Sequence, residues 1–140
     1  MQLKNSIHIA SLSKSRRVAK EINSNMIYLL YGQVGAGKST FVKNYLSSLG
    51  IEYSGSPTFN LVNEYDREAK SNKSKIIHID FYRVNTKDAI NIINEYIIDL
   101  DLATIFIEWP FKSIMEHIPI EKTITLCFVN RCKSSFPKVK

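Results

Sequence analysis

An α/β fold of three layers around a central, mainly parallel but mixed β-sheet is predicted by three features of this 140-residue chain. Apolar runs of buried-strand type alternate with segments of helical periodicity, the order that places a sheet between helical layers. One such run, Met26-Ile27-Tyr28-Leu29-Leu30-Tyr31, enters a glycine-rich loop and then a helical pattern, as strand–helix units of parallel sheets do. A charged stretch without apolar anchors, residues 66–74, separates two further strand-type runs and reads as a hairpin loop. That hairpin makes one strand pair antiparallel.

Each element follows in order. Residues 6–9 read as a short edge strand, and Leu12, Val18, Ala19 and Ile22 give one apolar face to a helix over residues 13–22. After the strand 26–31 and the glycine loop, Phe41, Val42, Tyr45, Leu46 and Leu49 recur with helical spacing, and Gly50 stops that helix. The turn-rich Ser54-Gly55-Ser56-Pro57-Thr58 leads to a strand over 59–65, and residues 75–80 form a second buried-type strand. Thr86 suits the N-cap of a helix through Tyr96 with Ile90, Ile93 and Ile97 on one face. Residues 103–108 and 120–129 supply the last strands.

Composition bounds the function. Hydrophobic content of 44% and charged content of 23% are those of an ordinary globular domain, taken as the single unit 1–140 with a flexible basic tail over 131–140. No apolar run approaches the roughly 18 residues of a membrane span, and the N-terminus lacks a signal-peptide core. A cytoplasmic location and no membrane partner are expected. The net charge of +6 supports only weak attraction to polyanions, since no basic–aromatic repeat accompanies it. Cys127 and Cys132 have no third Cys or His near them, so free thiols rather than a metal site are expected.

Three of the five glycines fall within Gly32-Gln33-Val34-Gly35-Ala36-Gly37-Lys38-Ser39. This G-x-x-x-x-G-K-S spacing, between a strand and a helix, is that of a P-loop, so the expected architecture is the P-loop NTPase fold. The glycines let the backbone from Gly32 to Thr40 turn its N–H groups toward phosphates, and the helix N-terminus adds partial positive charge. Lys38 is expected on the β- and γ-phosphates and the Ser39 hydroxyl on Mg²⁺. Two strands end in acids, Asp80 and Glu108, at the carboxyl edge where α/β sheets bind ligands. One acid suits Mg²⁺, directly or through water, and the other suits an attacking water, although a lone strand-terminal acid is commonly a loop starter. Thr58 reads equally as a phosphate sensor or a turn hydroxyl, and His78 as a packed or hydrogen-bonded imidazole. Trp109 reads as a core anchor or a contact surface, and His8 and His117 carry no assigned role.

These segments resemble the TsaE (YjeE) family, bacterial ATPases of tRNA threonylcarbamoyladenosine synthesis. The resemblance is carried by Gly32 to Thr40, by Ser56-Pro57-Thr58-Phe59-Asn60-Leu61-Val62-Asn63-Glu64-Tyr65, by His78-Ile79-Asp80-Phe81-Tyr82-Arg83 and by Ile107-Glu108-Trp109. It departs at Gln33, where the family usually has an acid, and at Ser39 in place of Thr. The resemblance implies an ATP- and Mg²⁺-dependent accessory ATPase, weak alone, that acts with TsaD- and TsaB-like proteins on adenosine 37 of tRNA and meets tRNA indirectly through that complex. It implies Lys38 on phosphate, Ser39 and Glu108 on Mg²⁺, and Asp80 in the metal's surroundings or on water. Thr58 and Trp109 fall in segments linked to the nucleotide switch and the partner contact, and Lys112 and Arg131 where the family has basic residues near the nucleotide. Two rivals stay open: a P-loop small-molecule kinase, disfavoured because the five arginines form no lid cluster, and a nucleotide-dependent binding module. A regulatory GTPase is set aside, since neither [NT]-K-x-D nor D-x-x-G occurs.

Overall fold

The structure, a computed structural model, describes residues 6–57, 60–69 and 72–128. Within them, β1 (Ser6–His8), β2 (Ile27–Tyr31), β3 (Val62–Ala69), β4 (Asn72–Asp80), β5 (Ala103–Glu108) and β6 (Thr123–Cys127) form one sheet. Its order is β1-β6-β2-β5-β4-β3, parallel from β1 to β4, with β3 antiparallel at the edge. The expected mixed α/β architecture is therefore observed. Helices α1 (Leu12–Ala19) and α2 (Lys38–Ser48) pack on one face and α3 (Thr86–Ile97) on the other. No helix among the described residues is long and apolar enough to cross a membrane.

Strand alternation sorts the core. Tyr28, Leu30, Ile76, Phe106 and Leu126 point toward Phe41, Val42, Tyr45 and Leu46 of α2. The intervening Ile27, Leu29, Ile77, Ile79, Ile105 and Ile107 meet Ala89 and Ile93 of α3. Both faces are covered, which is why β2 is buried along its whole length and reads as unbroken hydrophobicity. Gly50 ends α2 as expected: its N–H donates to the Ser47 carbonyl and the Ile51 N–H to the Leu46 carbonyl, a Schellman pair around a glycine at φ 75°.

Several boundaries differ from the sequence reading. The charged 66–74 segment is strand on both sides, β3 running to Ala69 and β4 starting at Asn72. The register sets Asp66 opposite Lys75 and Glu68 opposite Lys73, so cross-strand charge pairs replace the missing apolar anchors. Ser11, whose side chain accepts from the Lys14 N–H, starts α1 one residue early, and the helix ends at Ala19. Asn85 caps α3 in place of Thr86, accepting from the Asp88 N–H at 2.8 Å. Residues Ile120–Lys122 form a 3₁₀ turn before β6. Cys127 is disulfide-bonded, which corrects the expectation of a free thiol; spacing that argues against a metal site says nothing about pairing.

Candidate functional site

The carboxyl ends of β2, β4 and β5 lie side by side, and the glycine loop leaves β2 directly above them. Gly37 adopts φ 107°, a left-handed conformation that favours glycine, and turns the chain into α2 with no side-chain cap. The first N–H groups of α2, from Lys38, Ser39 and Thr40, thus have no intrahelical acceptor, an arrangement that can take an anion. A Cβ on Gly32 would stand 3.1 Å from that of Phe128 and 3.2 Å from that of Ala36, so the loop closes tightly over the sheet.

A cavity of about 370 Å³ opens here, lined by Val34, Gly35, Gly37, Lys38, Ser39, Thr40, Ser56, Asp80, Tyr82, Arg83, Glu108 and Trp109. It gathers the loop, both strand-terminal acids and Trp109. Asp80 and Glu108 are register partners of β4 and β5. The Ser39 hydroxyl donates to Glu108 Oε2 at 2.8 Å, and His78 Nε2 lies 2.5 Å from the same oxygen. Because a carboxylate only accepts, the His78 proton sits on Nε2. The Tyr82 N–H donates to Asp80 Oδ1 at 2.9 Å.

Lys38 is buried, donates to the Gly32 carbonyl and stands 3.8 Å from the centre of the Trp109 ring. Burial lowers the affinity of its amine for a proton, and the charges of Glu108 and Asp80 oppose that fall. Burial likewise raises the Asp80 carboxyl above its ordinary range; the Tyr82 N–H bond works the other way. Trp109 holds φ 58°, strained for a bulky residue, and its ring also packs on Tyr82 at 4.8 Å between centroids. This strain aims the indole over the lysine.

The turn before β3 is tied to the same strand ends. The Asp80 N–H donates to the Leu61 carbonyl at 2.9 Å, the Leu61 N–H to the Pro57 carbonyl at 2.8 Å, and Asn63 Nδ2 to the Gly55 carbonyl at 2.9 Å. Thr58 itself and Arg131 lie outside the described residues. Lys112 begins a 3₁₀ helix, Lys112–His117, and lines neither this cavity nor its neighbour.

The sequence reading missed two features. Tyr82 and Arg83 line the cavity, a consequence of following the strand-terminal Asp80 in the chain. A second hollow of about 210 Å³ lies between α1 and the loop, lined by Ile9, Ala10, Ser11, Leu12, Ser15, Ala36, Gly37, Thr40 and Phe128. It shares Gly37 and Thr40 with the first cavity, and Ser15 Oγ is buried there without a partner among the described residues. No motif marks it, since it joins chain segments more than a hundred residues apart.

Comparison with known proteins agrees with this geometry. Residues 8–135 match the family model described as threonylcarbamoyl adenosine biosynthesis protein TsaE. A protein of Borreliella burgdorferi named tRNA threonylcarbamoyladenosine biosynthesis protein TsaE is 38% identical over 104 residues, covering 73% of this chain and 72% of that one. An Aquifex aeolicus protein of the same name is 36% identical over 108 residues, covering 72% and 78%. The fold superposes on a crystal structure of YdiB from Bacillus subtilis with a TM-score of 0.52 and 25% identity, covering 79% of this chain and 66%, just under two thirds, of that one. With its loop, acids and sheet order in place and nearly the full chain matched, the protein belongs to the TsaE family.

Proposed function

We propose that this chain binds ATP with Mg²⁺ and hydrolyses it as an accessory ATPase of tRNA threonylcarbamoyladenosine biosynthesis, in the cytoplasm, with TsaD- and TsaB-like partners. One observation carries the reading: Lys38, Ser39, Asp80 and Glu108, from three separate chain segments, line one cavity at a helix N-terminus. The loop N–H groups and Lys38 would hold the phosphates. The donor set suits Mg²⁺, because a hydroxyl and a carboxylate, both hard oxygen ligands, already meet at Ser39 and Glu108. Among the described residues no cluster of three or more His, Cys, Asp or Glu could cage a metal alone. Mg²⁺ commonly takes one or two protein ligands and completes its shell with phosphate and water. When bound it would neutralise charge on the β- and γ-oxygens. Asp80, on the adjacent strand end, would orient water; its buried carboxyl is the more basic for being desolvated.

The second hollow would take the nucleoside. It abuts the loop at Gly37 and Thr40, offers apolar walls from Ile9, Leu12 and Phe128, and presents the unpartnered Ser15 hydroxyl. The test is equilibrium binding of ATP with and without Mg²⁺. The intact chain is expected to bind, and Lys38→Ala to lose about 10–100-fold in affinity with its circular dichroism unchanged, the worth of a charge-assisted contact to phosphate. A folded Lys38→Ala protein that binds ATP normally would end the assignment. Phosphate transfer to a small metabolite would select a kinase instead, and nucleotide-dependent docking without turnover a binding module.

A further inference from the structure

His78 is a polar residue at the floor of the site, and packing alone accounts poorly for it. Alternation along β4 puts Ile76, His78 and Asp80 on the face of α2, beside Phe106 and Glu108 of β5. His78 is fully buried, yet its Nδ1 has no hydrogen-bond partner among the described residues. An apolar side chain at this position would avoid that desolvated nitrogen. The other ring nitrogen explains what is gained. Nε2–H donates to Glu108 Oε2, the same oxygen that accepts from Ser39 Oγ. Two donors thus converge on Oε2 and fix the carboxylate, while Oε1 carries no hydrogen bond among the described residues. The ring of Tyr53 lies against the imidazole, 6.2 Å between centroids, and restrains it from its other side.

We infer that His78 is a positioning residue that holds the Glu108 carboxylate for a divalent cation bound with the nucleotide. The inference rests on the proposed use of Ser39 and Glu108 as the cation's protein ligands. A ligating carboxylate depends on the outer hydrogen bonds that orient it, and removing such a bond commonly costs 10–100-fold in metal affinity. His78 touches neither the cation nor the phosphates in this scheme; it acts through Glu108.

The experiment uses the full chain, a non-hydrolysable ATP analogue and Mn²⁺, whose bound and free forms are separated by electron paramagnetic resonance. His78→Leu removes the donor and the orphaned nitrogen together. Its analogue affinity in EDTA and its thermal midpoint are expected to equal or exceed those of the unsubstituted chain, while Mn²⁺ affinity falls about 10–100-fold. His78→Gln, whose amide N–H reaches the position of Nε2, should restore most of that loss. Should His78→Leu not fold, His78→Asn takes its place against His78→Gln, being too short to reach Oε2. Unchanged Mn²⁺ affinity without the donor, or a Gln variant as weak as Leu or Asn, would overturn the inference. An unsubstituted chain that gains no Mn²⁺ site on adding the analogue would overturn the cation-site reading itself, and this inference with it.

Discussion

Lys38 and Glu108 are buried ionisable groups whose charges answer one another across the cavity. Neither position tolerates a neutral replacement in the proposed chemistry, but for different reasons. Glu108→Gln and Asp80→Asn keep shape and remove charge, so Mg²⁺-dependent ATP turnover is expected to fall at least about 100-fold while metal-free nucleotide binding stays within a few-fold. Parallel turnover and binding assays separate the two, and unchanged turnover in both variants would contradict the paired-acid account. At this scale the loop and the two acids were legible because their spacing and strand-terminal places are sequence properties. The His78 contact was not: an imidazole in an apolar strand looks the same whether it packs or donates. The Lys38–Trp109 contact was hidden too, since it depends on a positive φ at a residue that rarely adopts one.

Elements hold this site through an aromatic cluster beneath α2. Phe106 of β5 stacks on Tyr28 at 5.3 Å, meets Tyr45 at 5.3 Å and Phe41 at 6.2 Å, and is fully buried. Phe106→Ala should destabilise the fold by about 3–5 kcal/mol in urea unfolding, because the three remaining rings cannot close over the void. A second tie joins α3 to the β3 edge. Tyr96 Oη donates to Glu64 Oε2 at 2.7 Å and Lys75 Nζ to Glu64 Oε1 at 3.2 Å. These bonds, Tyr96 first, hold the Glu64 carboxyl below its usual range. A depressed carboxyl stabilises the fold above its unfolded value and loses that contribution as pH falls through the folded one. Tyr96→Phe is therefore expected to lower stability at pH 7 by no more than about 1 kcal/mol, given the exposure of Glu64, and the difference should close below about pH 4. A gap independent of pH would place the effect in packing instead. The same edge explains why residues 66–74 read as the loop of a hairpin when most of them are strand. Its strands are held by pairs such as Asp66 opposite Lys75, which a scan for apolar alternation does not detect. Helix positions fared better, since 3.6-residue periodicity survives in α2 and α3; the cap of α3 moved by one residue, and α1 ends three residues early.

For the molecule as a whole, the sheet order sets the chemistry. β2 stands between β5 and β6, so the loop after β2 and the acids ending β4 and β5 share one edge, while α1 closes the adjoining hollow. The segments resembling TsaE proteins were readable because each is a continuous stretch of chain with its own residue pattern. The hollow at Ser11 and Ser15 was not, because only the folded sheet brings β1 and Phe128 beside the loop. The cavity holds Lys38 and, at its exposed mouth, Arg83 as its cationic side chains, and Trp109 joins that mouth to the lysine. A partner docked on Trp109 and Tyr82 would reach the proposed phosphate site directly. We propose that turnover depends on such docking, and the test is the ATP hydrolysis rate of the purified chain, alone and with saturating TsaD- and TsaB-like proteins. The rate alone is expected to be slow and to rise about tenfold or more with partners, since positioning and charge stabilisation dominate phosphoryl transfer. Trp109→Ala should remove most of that rise while leaving ATP binding within a few-fold. Equal rates with and without partners would contradict the account.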